Sequence, residues 1–120
     1  MSEPNVISIE QRDAILLAEV RCDRLDEEST LMMSTKVSEA AEKARDLPVV
    51  LDLSTVRFIP SLSLGALVKL LQEFKQRDQR FMLVGVQPPV RSALTVTRLD
   101  RLFEIYENVD EALAHLGERS

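Results

Sequence analysis

The chain has one cysteine, one histidine, no tryptophan and three glycines in 120 residues. A lone cysteine, Cys22, makes no internal disulfide, and with a single histidine it cannot complete a structural zinc site from the usual ligands. Cys22 reads as a small, largely inert residue. Gly65, Gly85 and Gly117 stand far apart, whereas a phosphate-cradling loop needs clustered glycines so that backbone amides can approach the ligand. Basic residues are in deficit: 15 Lys and Arg against 20 Asp and Glu leave a net charge of −5, the wrong sign for counterion release on nucleic acid. No segment approaches the roughly 18 apolar residues of a membrane span. The opening MSEPNVISIEQRD is too polar for the apolar core of a signal peptide. These absences predict a protein of the cytoplasm without cofactor, metal or membrane span.

Catalytic constellations are missing too. His115, in EALAHL near the end of a closing helix, reads as a solvent-facing residue favoured by the helix dipole, and any Ser-His-Asp triad would rest on it alone. Without a convergent nucleophile, base and oxyanion donor, an enzyme is not expected.

What is present is a compact pattern of alternating elements. Apolar residues make up 45% of the chain and charged residues 29%, enough for one core without staples. No repeat, linker or low-complexity tract interrupts residues 1–120, which predicts one domain with an ordered core from about residue 5 to 117. VISIE and AILLAEV read as two strands of a hairpin turning at Gln11, Arg12 and Asp13. Asp26 is placed to cap a helix whose first turn carries Glu27 and Glu28, and which runs to about Arg45. Its apolar stripe is Leu31, Val37, Ala40, Ala41 and Ala44, with one of Met32 and Met33 in the core and the other at its rim.

PVVLDLSTV reads as a central strand covered on both faces. Leu67, Leu70, Leu71 and Phe74 then recur at helical spacing, FMLVGV forms a further strand, and Pro88 with Pro89 opens a helix turning Val90, Ala93 and Leu94 inward. Leu102 to Tyr106 reads as a last short strand. Asn108 and Glu111 resemble a capping box ahead of the stripe Val109, Ala112, Leu113 and Leu116. The fold class is therefore α/β, a single small domain with a mixed central sheet and about four helices.

One stretch stands out, FIPSLSLGAL from Phe58 to Leu67. Pro60 biases Ile59 to an extended conformation, and Ser61 is placed to cap the next helix. Leu62 and Leu64 cannot both be buried at a helix start, so one is left as an exposed anchor for a partner. Gly65 lowers helix propensity by about 1 kcal/mol relative to alanine, which suggests close packing against the sheet. A phosphoryl group on Ser61 would bring about two negative charges to a helix N-terminus that accommodates them.

VVLDLSTVRFIPSLSLGALVKL resembles the strand, loop and helix of the STAS domain in bacterial anti-sigma-factor antagonists. VTRLDRLFEIY is similar to the stretch before that family's last strand, and the order of elements agrees along nearly the whole chain. The resemblance implies a STAS-like fold and a regulatory binding module. It implies binding to an anti-sigma-factor serine kinase, release when the kinase phosphorylates Ser61, and restoration by a PP2C-type phosphatase. Leu25 and Asp26 match the family's Leu-Asp, whose aspartate helps partner binding. The implied docking surface is Asp26, Ser61, Leu62, Ser63, Leu64 and Gly65, with Ser63 a second candidate acceptor. Three positions depart from the pattern: Pro60 replaces the family's aspartate, Ser63 its glycine, and Asp23-Arg24 its Gly-Glu. The alternative reading is a non-phosphorylated STAS subunit that scaffolds a larger signalling or lipid-transport assembly, and Pro60 favours it.

Overall fold

The computed structural model describes residues 6–118. Along the chain run β1 (Ile7–Arg12), β2 (Ile15–Val20), α1 (Glu27–Lys43), β3 (Val49–Asp52), α2 (Ser61–Lys75), β4 (Phe81–Val84) and α3 (Pro88–Val96). A single 3-10 turn (Leu99–Arg101), β5 (Glu104–Tyr106) and α4 (Val109–Glu118) complete the order. The five strands form one sheet in sequence order, with β1 antiparallel to β2 and the remaining pairs parallel.

Side chains alternate across the sheet with period two, and that alternation builds two cores. Leu16, Ala18, Val49, Leu51, Phe81 and Leu83 pack with Met33 and Val37 of α1, Leu67 and Phe74 of α2, and Val90 and Leu94 of α3. Ile15, Leu17, Val50, Met82 and Val84 face the opposite way, against Ala112 of α4. Both faces of the central strands are thus buried, which is why VVLDL and FMLV read as continuous apolar runs. Successive parallel strands move one way across the sheet, so α1, α2 and α3 share a face with their N-termini at the same sheet end.

Four local expectations are corrected. Gln11 and Arg12 belong to β1, paired with Leu16 and Ile15, and the hairpin turns on Asp13 and Ala14 alone. Asp13 takes a left-handed φ of 55°, which aspartate tolerates. Second, α1 ends at Lys43, and its buried ladder is Thr30, Met33, Val37 and Ala41. Leu31 lies off that ladder and is 68% exposed, so it belongs to the surface. Third, Leu102 is exposed and the last strand begins at Glu104, because the 3-10 turn occupies the preceding residues. Fourth, Glu111 Oε1 accepts from the N–H of Glu107, one residue earlier than a capping box requires, while Asn108 Oδ1 accepts from the N–H of Glu111 at 2.8 Å.

A cap invisible to local pattern closes α1 at its other end. Buried Gln79, 38 positions after Ala41, directs its side-chain amide at the carbonyls of Ala41, Ala44 and Leu47, at 3.2, 2.9 and 2.9 Å. The amide thus ties the last turn of α1 to its C-cap Ala44 and to Leu47 in the loop that follows, where a helix terminus leaves carbonyls short of partners.

Candidate functional site

The candidate site is where the N-termini of α1 and α2 meet, beyond the sheet end shared by the parallel strands. Two backbone links fix the approach. The N–H groups of Arg57 and Phe58 donate to the carbonyl of Asp23 at 2.7 and 3.0 Å, and the N–H of Leu25 donates to the carbonyl of Phe58 at 3.0 Å. Arg24 lies over the ring of half-exposed Phe58, 4.5 Å from its centroid, a cation–π contact. The segment before α1 is therefore zipped to the segment before α2.

Asp26 caps α1 as its sequence position predicts, with Oδ1 accepting from the N–H of Ser29 at 2.8 Å. The backbone bond from Ser29, followed by its hydroxyl, holds the exposed Asp26 carboxyl below its ordinary value. A depressed carboxylate pKa stabilises the fold fully above the ordinary value of 3.8, and that stabilisation is lost as the pH falls through the lower folded-state value. Asp26→Asn keeps a good cap without the titration. Its thermal stability is expected to fall less steeply than the wild type's on acidification, and identical acid limbs in circular-dichroism melts would contradict this.

Ser61 is the first helical residue of α2, and Pro60, with φ −77° and ψ 169°, is its N-cap. This corrects the expectation that Ser61 is the cap. Proline offers no side-chain acceptor and no acidic residue stands in the first turn, so among the described residues no side chain caps α2 and its first-turn amides present the positive end of the helix dipole. Ser61 itself is exposed.

Ser63 and Leu64 turn the other way. Ser63 is fully buried, its hydroxyl 2.6 Å from the Thr30 hydroxyl and donating to the Leu25 carbonyl at 2.8 Å. Thr30 Oγ1 also lies 3.3 Å from that carbonyl. With Ser63 donating to Leu25, the Thr30 hydroxyl donates to Ser63, so both protons are used and the three segments are clamped together. A kinase cannot reach this hydroxyl in the folded chain, which removes Ser63 as an acceptor or docking side chain there. Ser63→Ala is expected to cost about 1 kcal/mol, because the Thr30 hydroxyl must then turn to the Leu25 carbonyl, to which it makes only a longer bond. Equilibrium urea unfolding measures this, and an unchanged midpoint would show that the clamp contributes nothing.

Leu64 is 6% exposed and joins the three-helix core, whereas Leu62 is 55% exposed. The single exposed anchor expected of this pair is Leu62, and Leu64 is not available for docking in the folded chain. Gly65 is exposed, and a Cβ built on it would meet nothing within 4 Å, so it does not mediate close packing against the sheet. Asp26, Ser61, Leu62 and Gly65 therefore share the surface, with Ser63 and Leu64 beneath it. The sequence reading missed Thr30 and the Arg24–Phe58 contact. A hydroxyl residue one helical turn after the cap was the only local hint of the former.

The sequence model of the STAS domain matches residues 7–112. The chain belongs to the STAS domain family. Among similar proteins, the anti-sigma F factor antagonist of Paenibacillus polymyxa is 26% identical over 92% of this chain and 93% of its own length. A Thermotoga neapolitana protein named as a candidate anti-sigma factor antagonist is 37% identical over 59% of this chain, and the match spans 63% of that relative. The solved STAS domain protein of Planctomyces limnophilus superposes with a TM-score of 0.84 at 24% identity, covering 92% of this chain and 97% of that one. SpoIIAA, an anti-sigma factor antagonist, superposes in its unphosphorylated form with a TM-score of 0.77 at 16% identity over 93% of this chain and 96% of its own. Its phosphorylated form gives 0.70 at 15% over 92% and 98%. These structures share the STAS fold, a five-stranded mixed sheet with four helices.

Burial, the largest influence, pushes the half-buried Cys22 thiol up, so it is neutral at physiological pH. His115 is exposed and stacks on Tyr106 with ring centroids 4.5 Å apart. Among the described residues no group of three metal-ligating side chains converges, and no helix is long and apolar enough to cross a membrane.

Proposed function

We propose that this STAS domain is an anti-sigma factor antagonist working by partner switching. It binds an anti-sigma factor of the serine kinase type while Ser61 is bare. Phosphorylation of Ser61 ends the complex, and a PP2C-type phosphatase restores it. The whole chain, residues 1–120, acts as one regulatory domain in the cytoplasm, without catalysis of its own. Docking uses the exposed group Asp26, Ser61, Leu62 and Gly65.

The observation that carries this reading is the setting of Ser61, an exposed hydroxyl on the first residue of an uncapped helix. A phosphoryl group there adds about two negative charges where the dipole favours them, so the fold tolerates the modification while the surface changes. The name of the Paenibacillus relative and the existence of a phosphorylated SpoIIAA point the same way.

A scaffold reading, in which the domain is a fixed subunit of a larger assembly, is favoured by Pro60 in place of the family's aspartate. Phosphate mapping by mass spectrometry on protein from resting and stressed cells separates the two. Phosphate on Ser61 that varies with condition, together with loss of the co-purified partner, is the expected result. Unmodified Ser61 throughout, with a stoichiometric partner always attached, would overturn the switch in favour of the scaffold.

A further inference from the structure

Between α1 and α2 lies an open groove of ≈ 1110 Å³ that extends from Ser61, Leu62 and Gly65 along both helices to Glu39 and Glu73. The two helices run parallel and are tied at two levels, by the buried Thr30–Ser63 pair near their N-termini and by the Ser38 hydroxyl donating to Glu73 at 2.6 Å further along. Thr30 and Ser38 are eight residues apart, about 12 Å of helix axis or a little over two turns. Leu31 on α1 and Leu62 on α2, two of the large apolar side chains left exposed, line the groove from opposite sides. Gly65 lies along it without a side chain, leaving α2 open to close approach.

Charge selects the occupant. Glu27, Glu28 and Glu39 line the groove without an ion pair among the described residues, whereas Glu73 already serves Ser38 and Arg77. Against those three carboxylates the lining offers one cation, Lys69. Fatty-acid carboxylates, anionic headgroups and nucleic acid would all meet repulsion. An apolar trough of helical length with an acidic rim along α1 suits an amphipathic helix carrying Lys or Arg beside its apolar stripe.

We propose that the α1–α2 groove docks a basic amphipathic helix of a partner protein, its apolar residues seated between Leu31 and Leu62 and its cations facing Glu27, Glu28 and Glu39. Ser61, Leu62 and Gly65 belong both to this groove and to the proposed docking surface, so the inference rests on that reading and names the chemistry of the partner segment seated there.

The test uses two labelled synthetic peptides of 15 residues with leucine at i, i+4 and i+7, one carrying lysine and the other glutamate at the flanking positions. Fluorescence anisotropy is read with the full-length protein. The lysine peptide is expected to bind at least about tenfold more tightly than the glutamate peptide and to weaken as salt rises. Leu31→Ser, which removes no charge, and Gly65→Leu, which fills the groove at a site with open space, should each weaken it by about tenfold. Circular dichroism confirms that both variants remain folded. Equal binding of the two peptides, or binding unchanged by both variants, overturns the proposal. Displacement of the lysine peptide by decanoate at concentrations below micelle formation would assign the groove to an acyl chain and overturn it equally.

Discussion

Ser61→Glu is expected to weaken binding of the anti-sigma factor by about 100-fold, equivalent to about 2.7 kcal/mol, while leaving the midpoint of thermal unfolding within about 3 °C of wild type. The two halves of this expectation have separate physical origins. At the first position of a helix with no side-chain cap, a carboxylate meets the positive end of the dipole, a contribution of about 0.3–1 kcal/mol in favour of folding. At an interface the same charge must shed its water at a position where the partner meets an uncharged hydroxyl. Unmatched charge of this kind costs several kcal/mol in a complex. Ser61→Ala should bind as the wild type does but resist release by the kinase and ATP. Titration calorimetry with the purified partner measures both variants. Affinity unchanged by Ser61→Glu would mean that Ser61 lies outside the interface.

Leu62 and Leu64 give the second large contrast, because two residues of identical chemistry sit on opposite sides of one helical turn. Leu64→Ala is expected to cost about 2–5 kcal/mol through lost burial and the cavity left behind, lowering the unfolding midpoint by more than about 10 °C. Leu62→Ala should change stability by less than about 0.5 kcal/mol and should weaken partner binding by about tenfold as an interface anchor. Paired melts and binding isotherms decide the matter. Comparable melts for the two variants would contradict the burial assignment, whereas unchanged binding by Leu62→Ala would remove that residue from the docking surface.

The elements were largely legible because their signals are local. The spacing of Leu67, Leu70, Leu71 and Phe74 repeats each turn of α2, and Asp26 followed by two glutamates announces the start of α1. Continuous apolar runs at VVLDL and FMLV betray strands covered on both faces. Boundaries were less legible, since a turn depends on which residue accepts a left-handed φ, and Asp13 did so where Gln11 and Arg12 extended the strand. Leu31 shows the limit of composition: a leucine in a helix reads as core until the neighbours that fix the buried ladder are known.

At the site, the sequence located the stretch but not the direction in which each side chain points. Pro60 and Ser61 are adjacent candidates for one cap, and local rules favour serine for its acceptor oxygen. The backbone places proline there instead, which leaves the Ser61 hydroxyl exposed. Ser63 read as a second candidate acceptor because its partners, Leu25 and Thr30, are 38 and 33 residues away.

The sequence by itself determined the class of fold, the order of its elements, the family resemblance and the serine to examine, because periodicity, capping and turn chemistry act within a few residues. Tertiary structure alone decided that Ser61 and Leu62 face outward while Ser63 and Leu64 are locked beneath them. It also decided that Gln79 closes α1 and that a groove with an acidic α1 rim opens between α1 and α2. The physical reason is that burial and hydrogen-bond satisfaction are settled between segments brought together by the sheet, across sequence separations that no local pattern encodes.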